Sequence, residues 1–255
     1  MRFLVVKRSG IVKTTVIAVL LALLLGTVGV TGAAAVYGGK TTRKLPIYSV
    51  ETEEKAVALS FDASWGADKT QDILDTLTRY DIKANYFVVS FWAEKYPDML
   101  KKLGDSGRVE IGTHSNTHPH MPKLSRNQIE LELTASVNII EKCTEKKVEL
   151  FRPPFGDYND TLLEEAEKLG LYTIQWDVDT LDWKDLSAQA IAERVLNNVK
   201  NGSIVLMHND GKNTVQALPL IIEGLKNKGY SFKTIGELIY RDNYEIDHTG
   251  RQIRR

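Results

Sequence analysis

Between residues 56 and 240, apolar runs bounded by turn residues alternate regularly with amphipathic stretches, and this alternation most constrains the fold. Each apolar run has the length of a buried strand, and each amphipathic stretch has the periodicity of a helix. Repeated strand–helix units predict parallel strands joined by right-handed crossovers, in either an open α/β sheet or a barrel. No internal repeat or second linker interrupts the series, so one domain is expected.

Element positions follow from the same pattern. The predicted strands are Ala56–Asp62, Asn85–Val89, Glu110–His114, Glu149–Pro153, Tyr172–Val178, Ser203–His208 and Tyr230–Lys233. The predicted helices are Lys69–Arg79, Tyr96–Ser106, Ser125–Glu145, Thr161–Leu169, Ala188–Lys200, Thr214–Asn227 and Ile235–Tyr240. Ser125 with Gln128 predicts a capping box, and Asp68 is the expected N-cap of the first helix. Gly170 and Gly229 stand where helix ends favour a left-handed residue.

The first 39 residues are typical of a targeting segment. Four basic residues precede an uncharged run, Thr14 to Gly39, which is long enough to cross a bilayer as a tilted helix. Small residues at 33–35 also fit a signal-peptidase site, so cleavage is the alternative, although the length of the run favours an uncleaved anchor. We therefore expect a cytoplasmic stub and membrane or signal helix at 1–39, a linker at 40–50 and an extracytoplasmic domain at 51–255. The protein would be a single-pass membrane protein, or secreted after cleavage.

Charge and cysteine content exclude other classes. The chain has 33 basic and 33 acidic residues, but seven of the basic ones and no acid lie in the first 45 positions. The remaining chain therefore has an excess of negative charge, which argues against a nucleic-acid binder. Cys143 is the single cysteine, so no intrachain disulfide forms. Export without disulfides suits a bacterial envelope protein.

Ionisable residues stand at the carboxyl ends of the predicted strands. They are Asp62, His114, Arg152, the acids between Asp177 and Asp182, and His208. In parallel α/β folds, ligands bind at the carboxyl ends of the strands. We therefore expect these side chains to meet at one rim.

Three histidines lie within seven positions after the third strand. His114 and His118 are four residues apart and can converge on one Zn²⁺ if the backbone makes a single turn. Pro119 disfavours helical geometry at His118, so this turn is a loop. A solvated polar loop is the alternative interpretation, and His120 is interpreted as a loop residue.

Two acid–base pairs are suggested by the remaining rim residues. Asp62 is placed to act as a metal ligand or a general base, and Arg152 would keep it ionised. A surface salt bridge is the alternative for Arg152. One of the acids Asp177, Asp179 and Asp182, hydrogen-bonded to His208, would raise the basicity of that imidazole and make it suitable as a proton donor.

Tryptophans lie close in sequence to these acids. Trp65, Trp176 and Trp183 either stack on sugar rings at the rim or pack in the core. The sequence alone favours neither interpretation.

Taken in order, these residues resemble the five motifs of the polysaccharide deacetylases, metal-dependent carbohydrate esterases that share the nodulation-factor deacetylase homology domain. The resemblance runs from about Ala56 to Tyr240. The motifs are Asp62 after an apolar strand, His114-Ser-Asn-Thr-His118-Pro119, Arg152-Pro-Pro-Phe-Gly156, Asp179-Thr-Leu-Asp182-Trp183 and Ile204-Val-Leu-Met-His208. The first motif, Ser60 to Gly66, resembles most closely the sporulation-type enzymes of spore-forming bacteria. The resemblance implies a single distorted, incomplete (β/α) barrel.

Site roles follow from the resemblance by position. It implies that Asp62 is the general base, that Arg152 holds it ionised, and that His114 and His118 bind a divalent metal, Zn²⁺ or Co²⁺. It further implies that Asp182 orients His208, the acid that protonates the departing amine. The substrate would contact Leu206, Trp183, Trp65 and Phe155, whose backbone N–H stabilises the oxyanion. Phe155 replaces the tyrosine common in the family.

Ala63 departs from the family pattern, which usually has a second aspartate there as the third metal ligand. Metal binding is therefore expected to be weak or absent. The leading hypothesis is a membrane-tethered N-deacetylase of peptidoglycan, acting on N-acetylglucosamine or N-acetylmuramic acid during spore formation. The alternative is a glycan-binding or wall-assembly protein that keeps the groove. A glycosidase using Asp62 and Asp182 fits less well, because it leaves three imidazoles idle. No nucleic-acid partner is expected, and the sequence makes no prediction of the oligomeric state.

Overall fold

The computed structural model describes residues 43–255, of which Lys44–Arg255 forms one compact unit. The predicted membrane or signal segment lies outside the described residues. Within them, every helix is too short or too polar to cross a bilayer.

The strands of the described chain are β1 (Ser49–Val50), β2 (Ala56–Ala63), β3 (Ala84–Val88), β4 (Val109–Thr113), β5 (Leu150–Phe151), β6 (Tyr172–Thr173), β7 (Val178–Asp179), β8 (Ile204–His208), β9 (Ser231–Phe232), β10 (Tyr244–Ile246) and β11 (Arg251–Arg254). The helices of the same region are α1 (Thr70–Arg79), α2 (Ser90–Lys95), α3 (Pro97–Asp105), α4 (Arg126–Thr144), α5 (Asp160–Lys168), α6 (Ala188–Asn198), α7 (Thr214–Asn227) and α8 (Ile235–Leu238).

Parallel strands form the main sheet, in the order β6-β5-β4-β3-β2-β8-β7, and β9 pairs with β2. Every residue of β2 and of β3 is buried, as expected for a parallel sheet covered on both faces. The larger apolar cluster packs helices such as α1 and α7 against the sheet, and a smaller cluster that includes Ala58 and Phe87 lies on the other face. The fold is an α/β half-barrel, which confirms the predicted class.

Most of the residues predicted to begin or end helices have the expected geometry. Ser125 and Gln128 form the predicted capping box, and Gly170 and Gly229 have φ angles of +73° and +82°. The prediction for Asp68 is wrong. Lys69 precedes α1, which has no side-chain cap, so Asp68 lies one residue too early to accept from the first turn.

The predicted strand Tyr172–Val178 is two short strands, β6 and β7, at opposite ends of the sheet. At the break, the backbone pairs with Ile47 at the edge of the sheet. Its N–H donates to the Thr173 carbonyl at 2.9 Å, and its carbonyl accepts from the Gln175 N–H at 2.7 Å. Beyond this edge contact the chain leaves the sheet, and it returns as β7 beside β8.

Elements outside the strand–helix series were not predicted. Helix α2 follows β3 directly, and a second sheet forms in the order β1-β11-β10. In that sheet Ser49 pairs with Arg251 on a parallel strand. The residues Arg251–Arg254 therefore form a strand that pairs with β1, near the start of the described chain.

Candidate active site

Asp62 and His208 stand side by side at the carboxyl ends of β2 and β8, where they are paired positions of the parallel ladder. Paired residues on neighbouring strands point to the same face of a sheet. The backbone N–H of Asn209 donates to the Asp62 carbonyl at 3.1 Å, which continues the ladder beyond His208. Two residues 146 positions apart in sequence thus face one cavity.

Arg152 crosses the interior of the half-barrel to reach Asp62. Its Nη1 donates to Asp62 Oδ1 at 2.8 Å, and its Nη2 donates to Ser60 Oγ at 2.9 Å and to the Gln175 carbonyl at 3.2 Å. The guanidinium is fully buried and lies 4.1 Å from the centre of the Phe87 ring. The surface salt bridge considered for Arg152 is therefore wrong, because the pair is buried.

This arrangement lowers the pKa of Asp62. Burial alone would raise that pKa, but the charge of Arg152, with smaller contributions from His114 and His208, outweighs burial. Burial also lowers the pKa of Arg152, and Asp62 opposes that shift. A carboxylate with a lowered pKa, held next to a fixed cation, stays ionised at neutral pH and accepts a proton from a bound group.

His208 is oriented by the buried carboxylate of Asp182. The ring Nδ1 donates to Asp182 Oδ1 at 2.8 Å, while the His208 backbone N–H and the Thr214 hydroxyl donate to Oδ2 at 2.8 and 2.6 Å. With Nδ1 bound to Asp182, Nε2 is the nitrogen left for a substrate. Burial lowers the pKa of His208, but the hydrogen bond and charge of Asp182 outweigh burial and raise it. The imidazole is thus suited to hold a proton and donate it.

His114 and His118 face each other with ring centres 5.0 Å apart. His114 Nδ1 lies 2.7 Å from the Arg152 carbonyl, which only accepts, so Nδ1 carries the proton and Nε2 keeps its lone pair. Burial lowers the pKa of His114. Burial and the neighbouring His114 lower the pKa of His118 to about 4. Both rings are therefore neutral at pH 7, which is the form that binds metals.

The loop that carries these histidines has a strained backbone. Ser115 and His118 have φ angles of +74° and +58°, and left-handed residues other than glycine cost about 1–3 kcal/mol each. Glu132 on α4 holds the loop: it accepts from the N–H groups of Asn116 and Thr117 at 2.9 Å each and from the Thr117 hydroxyl at 2.6 Å. Glu132 has no local sequence signal for this role, because a charge on a long helix normally faces solvent.

The donor set determines how well a divalent metal fits. His114 Nε2 lies 3.6 Å from Asp62 Oδ2, so a lone pair and a carboxylate converge where a cation or a proton donor would satisfy both. Among residues 43–255, no group of three or more His, Cys, Asp or Glu side chains is arranged as a metal site. Ala63 is fully buried within the larger apolar cluster. The two imidazoles therefore fit Zn²⁺ or Co²⁺, but one protein ligand is missing from the three that catalytic zinc sites use.

Leu206 and Trp183, two of the residues predicted to contact substrate, flank the acid–base pair. Leu206 lies two positions before His208, points to the same face and is buried. Trp183 follows Asp182 and is 56% exposed, so core packing does not explain it. An apolar side chain thus lies on the same face as the proton donor, and an exposed ring follows the carboxylate that orients it.

The other two predicted contact residues, Phe155 and Trp65, lie on either side of His118. The His118 ring centre is 4.6 Å from Phe155 and 5.2 Å from Trp65. Phe155 has a φ angle of +61° and stacks on His120 at 4.3 Å. His120 is in a loop, as predicted, but its contact with Phe155 places it beside the site, and its Nδ1 lies 3.1 Å from Asp157. The structure thus brings the ionisable residues of the predicted site together, with Phe155 and Trp65 beside His118, while all catalytic and binding roles stay predictions.

Comparison with known proteins relates the whole arrangement to one family. The polysaccharide deacetylase family model matches residues 49–174. A peptidoglycan-N-acetylglucosamine deacetylase from Bacillus cereus is 33% identical over 197 residues, with 75% of this chain and 92% of the relative covered. The uncharacterized protein YlxY of Bacillus subtilis is 31% identical over 194 residues. That match covers 76% of this chain, and the chain spans 60% of the length of YlxY.

Solved structures include an inactive relative. BA3943 from Bacillus anthracis, described as a CE4 family pseudoenzyme, is 33% identical with a TM-score of 0.74, covering 82% of this chain and 73% of that chain. A BA3943 mutant with restored enzymatic activity is 37% identical with a TM-score of 0.73, covering 76% and 70%. The family therefore contains both active deacetylases and proteins that keep the fold without activity.

Proposed function

This chain belongs to the polysaccharide deacetylase family, and we propose that it is an extracytoplasmic N-deacetylase that removes acetyl groups from the amino sugars of peptidoglycan. One observation carries the proposal: an ionised acceptor, Asp62 with Arg152, and a proton donor, His208 with Asp182, face one cavity from paired positions on β2 and β8. Hydrolysis of an acetamide needs these two functions, one for the attacking water and one for the leaving amine.

The residues divide the reaction between them. Asp62 accepts a proton from the water that attacks the acetamide carbonyl, and Arg152 keeps Asp62 ionised before the attack. His208 donates its proton to the departing amine as the C–N bond breaks, which leaves acetate and a free amino sugar. Asp182 holds the ring so that Nε2 faces the cavity, and Leu206 forms an apolar wall for the acetyl methyl.

His114 and His118 are the residues that would hold a divalent metal. Such a metal would supply Lewis-acid polarisation of the carbonyl and lower the pKa of the attacking water. His114 is already fixed for this by the Arg152 carbonyl, since ligating histidines usually donate their other N–H to an acceptor.

Acetate release tests the proposed function. Purified protein with added Zn²⁺ or Co²⁺ is expected to release acetate from peptidoglycan and from N-acetylglucosamine oligomers. Asp62→Asn and His208→Ala are each expected to lower the rate about 10²–10⁴-fold, the usual contribution of a general acid or base. His248→Ala is the matched control, because His248 is exposed on the turn between β10 and β11. Equal rates for His208→Ala and His248→Ala would contradict the proposed role of His208.

A second candidate function is favoured by Ala63 and by the likeness to a pseudoenzyme. In that case the protein binds glycan in the same groove without turning it over. Calorimetry with Zn²⁺ and with N-acetylglucosamine oligomers separates the two. Binding of one metal ion that His118→Ala abolishes favours the enzyme, whereas glycan binding unaffected by a chelator, without acetate release, favours the binding protein.

We further propose that the chain is tethered to the membrane and acts during spore formation. The tether is supported by the apolar run from Thr14 to Gly39, and the link with spore formation by the sporulation-type first motif, Ser60 to Gly66. Fractionation of sporulating cells, with deletion of residues 1–39 as the comparison, tests the tether. Recovery of the full chain in the soluble cytoplasmic fraction would contradict it.

A further inference from the structure

The buried carboxylate of Asp182 has a partner to which the proposed reaction gives no role. Its Oδ1 accepts from the His208 ring at 2.8 Å, and its Oδ2 accepts from the His208 backbone N–H at 2.8 Å and from the Thr214 hydroxyl at 2.6 Å. Asp182 and Thr214 are both fully buried. Among residues 43–255, Thr214 is thus the one donor outside His208 that bonds to this carboxylate.

Thr214 stands at the start of helix α7, directly after the loop that follows His208. Its N–H donates to the Gly211 carbonyl at 3.3 Å, and the Gly211 N–H donates to the His208 carbonyl at 3.3 Å, so the loop is compact. Because the positive end of a helix dipole lies at the first turn, a carboxylate next to Thr214 is stabilised electrostatically. Helix α7 therefore supplies Asp182 with both a hydrogen bond and a favourable field.

Gly211 provides the space that this contact needs. A Cβ atom at Gly211 would lie 2.2 Å from Thr214 Oγ1 and 2.9 Å from Asp182 Oδ2, which is closer than side chains pack. The φ angle of Gly211 is outside the left-handed region, so steric room and not backbone conformation requires glycine here. Any other residue at this position would push the hydroxyl and the carboxylate apart or displace the loop.

The turn that carries Asp182 has a strained backbone. Asp182–Lys184 form one turn of 3-10 helix between Leu181 and Asp185, whose φ angles are +54° and +55°. Left-handed residues other than glycine persist only where surrounding contacts hold the backbone. The three hydrogen bonds to the Asp182 side chain connect this turn to β8 and to α7. The position of Asp182 therefore depends on contacts outside its own turn, and Thr214 supplies one of them.

We propose that Thr214 is a positioning residue for proton donation: its hydroxyl fixes Asp182, which holds the Nδ1–H of His208 and leaves Nε2 facing the cavity. The inference rests on the proposed function, in which His208 protonates the departing amine. Without a fixed acceptor at Nδ1, the proton of the neutral imidazole is no longer confined to that nitrogen, and the ring is no longer held with Nε2 towards the amine. Thr214 is buried, so it affects the rate of proton transfer and not the binding of substrate.

Nitrogen NMR of the His208 ring, in metal-free full-chain protein, gives a test that does not need activity. The ring signals are identified by their absence in His208→Ala. At a pH where the ring is neutral, the wild type is expected to have the proton on Nδ1 alone, whereas Thr214→Val, which keeps the shape but removes the hydroxyl, is expected to have a mixture of both tautomers. Thr214→Ser keeps the hydroxyl and should restore the single tautomer.

Thr144→Val is the matched control for the loss of a buried hydroxyl. Thr144 lies at the end of α4, and its hydroxyl donates to the Ile140 carbonyl at 2.9 Å, so this variant should keep the wild-type tautomer of His208. Thr214→Ala, which is smaller and also lacks the hydroxyl, replaces Thr214→Val if the latter does not fold.

Acetate release gives a second measurement. Thr214→Val and Gly211→Ala are each expected to lower kcat about tenfold with KM unchanged, which is the loss expected for one hydrogen bond to a charged group. A single Nδ1–H tautomer in Thr214→Val would overturn the inference, and so would a wild-type kcat in that variant. If the wild type releases acetate and Thr214→Val matches it in both measurements, the positioning role is wrong and the deacetylase proposal stands. If the wild type releases no acetate but Thr214→Val mixes the tautomers, Thr214 does position His208 and the deacetylase proposal is wrong.

Discussion

Replacing Ala63 with aspartate should create a metal-dependent gain in stability. The side chain is fully buried at the end of β2, so the new carboxylate has no access to water. In the family pattern, an aspartate at this position joins the two imidazoles as the third ligand. Without metal, the variant has a buried charge with no counter-ion, and with metal that charge has a partner.

The size of the stability change follows from comparing the metal-free and the metal-bound forms of Ala63→Asp. An uncompensated buried charge costs about 3–5 kcal/mol, so in a chelator the variant should be less stable than the wild type by that amount. For a domain of this size each kcal/mol shifts Tm by about 2–4 °C, which gives a decrease of about 6–20 °C. Zn²⁺ at about one hundred times its Kd restores about 2.7 kcal/mol, most of the loss. The wild type, with two imidazoles, should respond to the same Zn²⁺ concentration much less.

Thermal unfolding with and without Zn²⁺ measures this directly. Ala63→Asn is the matched control, because it adds the same volume without a carboxylate and should not gain a Zn²⁺ response. Ala63→Asp combined with His118→Ala should lose the response, because one imidazole is gone. Ala63 packs in the apolar cluster between the sheet and the helices, so an aspartate at this position could face the helices and not the imidazoles. If the aspartate lowers Tm and Zn²⁺ does not raise it again, the side chain faces the helices and the reasoning is refuted.

Three further changes test the electrostatics and the loop. Asp182→Asn should move the alkaline limb of the pH–rate profile to lower pH, because His208 loses the partner that raises its pKa and so deprotonates at lower pH; an unmoved limb would contradict this. Arg152→Met should lower the free energy of unfolding at pH 7 by about 3–5 kcal/mol, because Asp62 stays buried without its cation. That loss should shrink as urea unfolding is repeated at lower pH, since stability from a carboxylate with a lowered pKa disappears as the pH falls; a loss independent of pH would argue against it. Glu132→Gln should cost about 1–3 kcal/mol and speed hydrogen exchange at the two amides that Glu132 binds, while the rest of α4 is unaffected; unchanged exchange would show that the loop does not depend on it.

The main sheet was predictable because its strands are continuous apolar runs. The sequence pattern predicted β2, β3, β4 and β8 to within one residue at each end, since every position in β2 and β3 is buried and only strand length had to be judged. The break between β6 and β7 was not predictable, because the backbone there pairs with Ile47, more than 120 residues earlier in the chain, and the apolar run itself has no turn signal. The sheet of β1, β10 and β11 was not predictable either, since its strands are short and polar, and β1 pairs with a strand about 200 residues later in the chain.

Some residues of the candidate site could likewise be predicted from the sequence, and others could not. Asp62, His114 and His208 could be placed together because they follow strands, and parallel strands end at one rim. The burial of Arg152 could not be read from the sequence, because an arginine after a strand reaches solvent or the interior depending on the curvature of the sheet. Thr214 is the first residue of a predicted helix, so no local signal linked its hydroxyl to Asp182.

The most direct test of the account is acetate release measured across a metal titration. We expect wild-type protein to release no acetate from N-acetylglucosamine hexamer in a chelator, and to release it at a rate that rises with Zn²⁺ or Co²⁺. Asp62→Asn should stay about 10²–10⁴-fold slower than the wild type at the highest metal concentration. Absence of release at every metal concentration would contradict the account, as would release that persists in the chelator or a wild-type rate in Asp62→Asn.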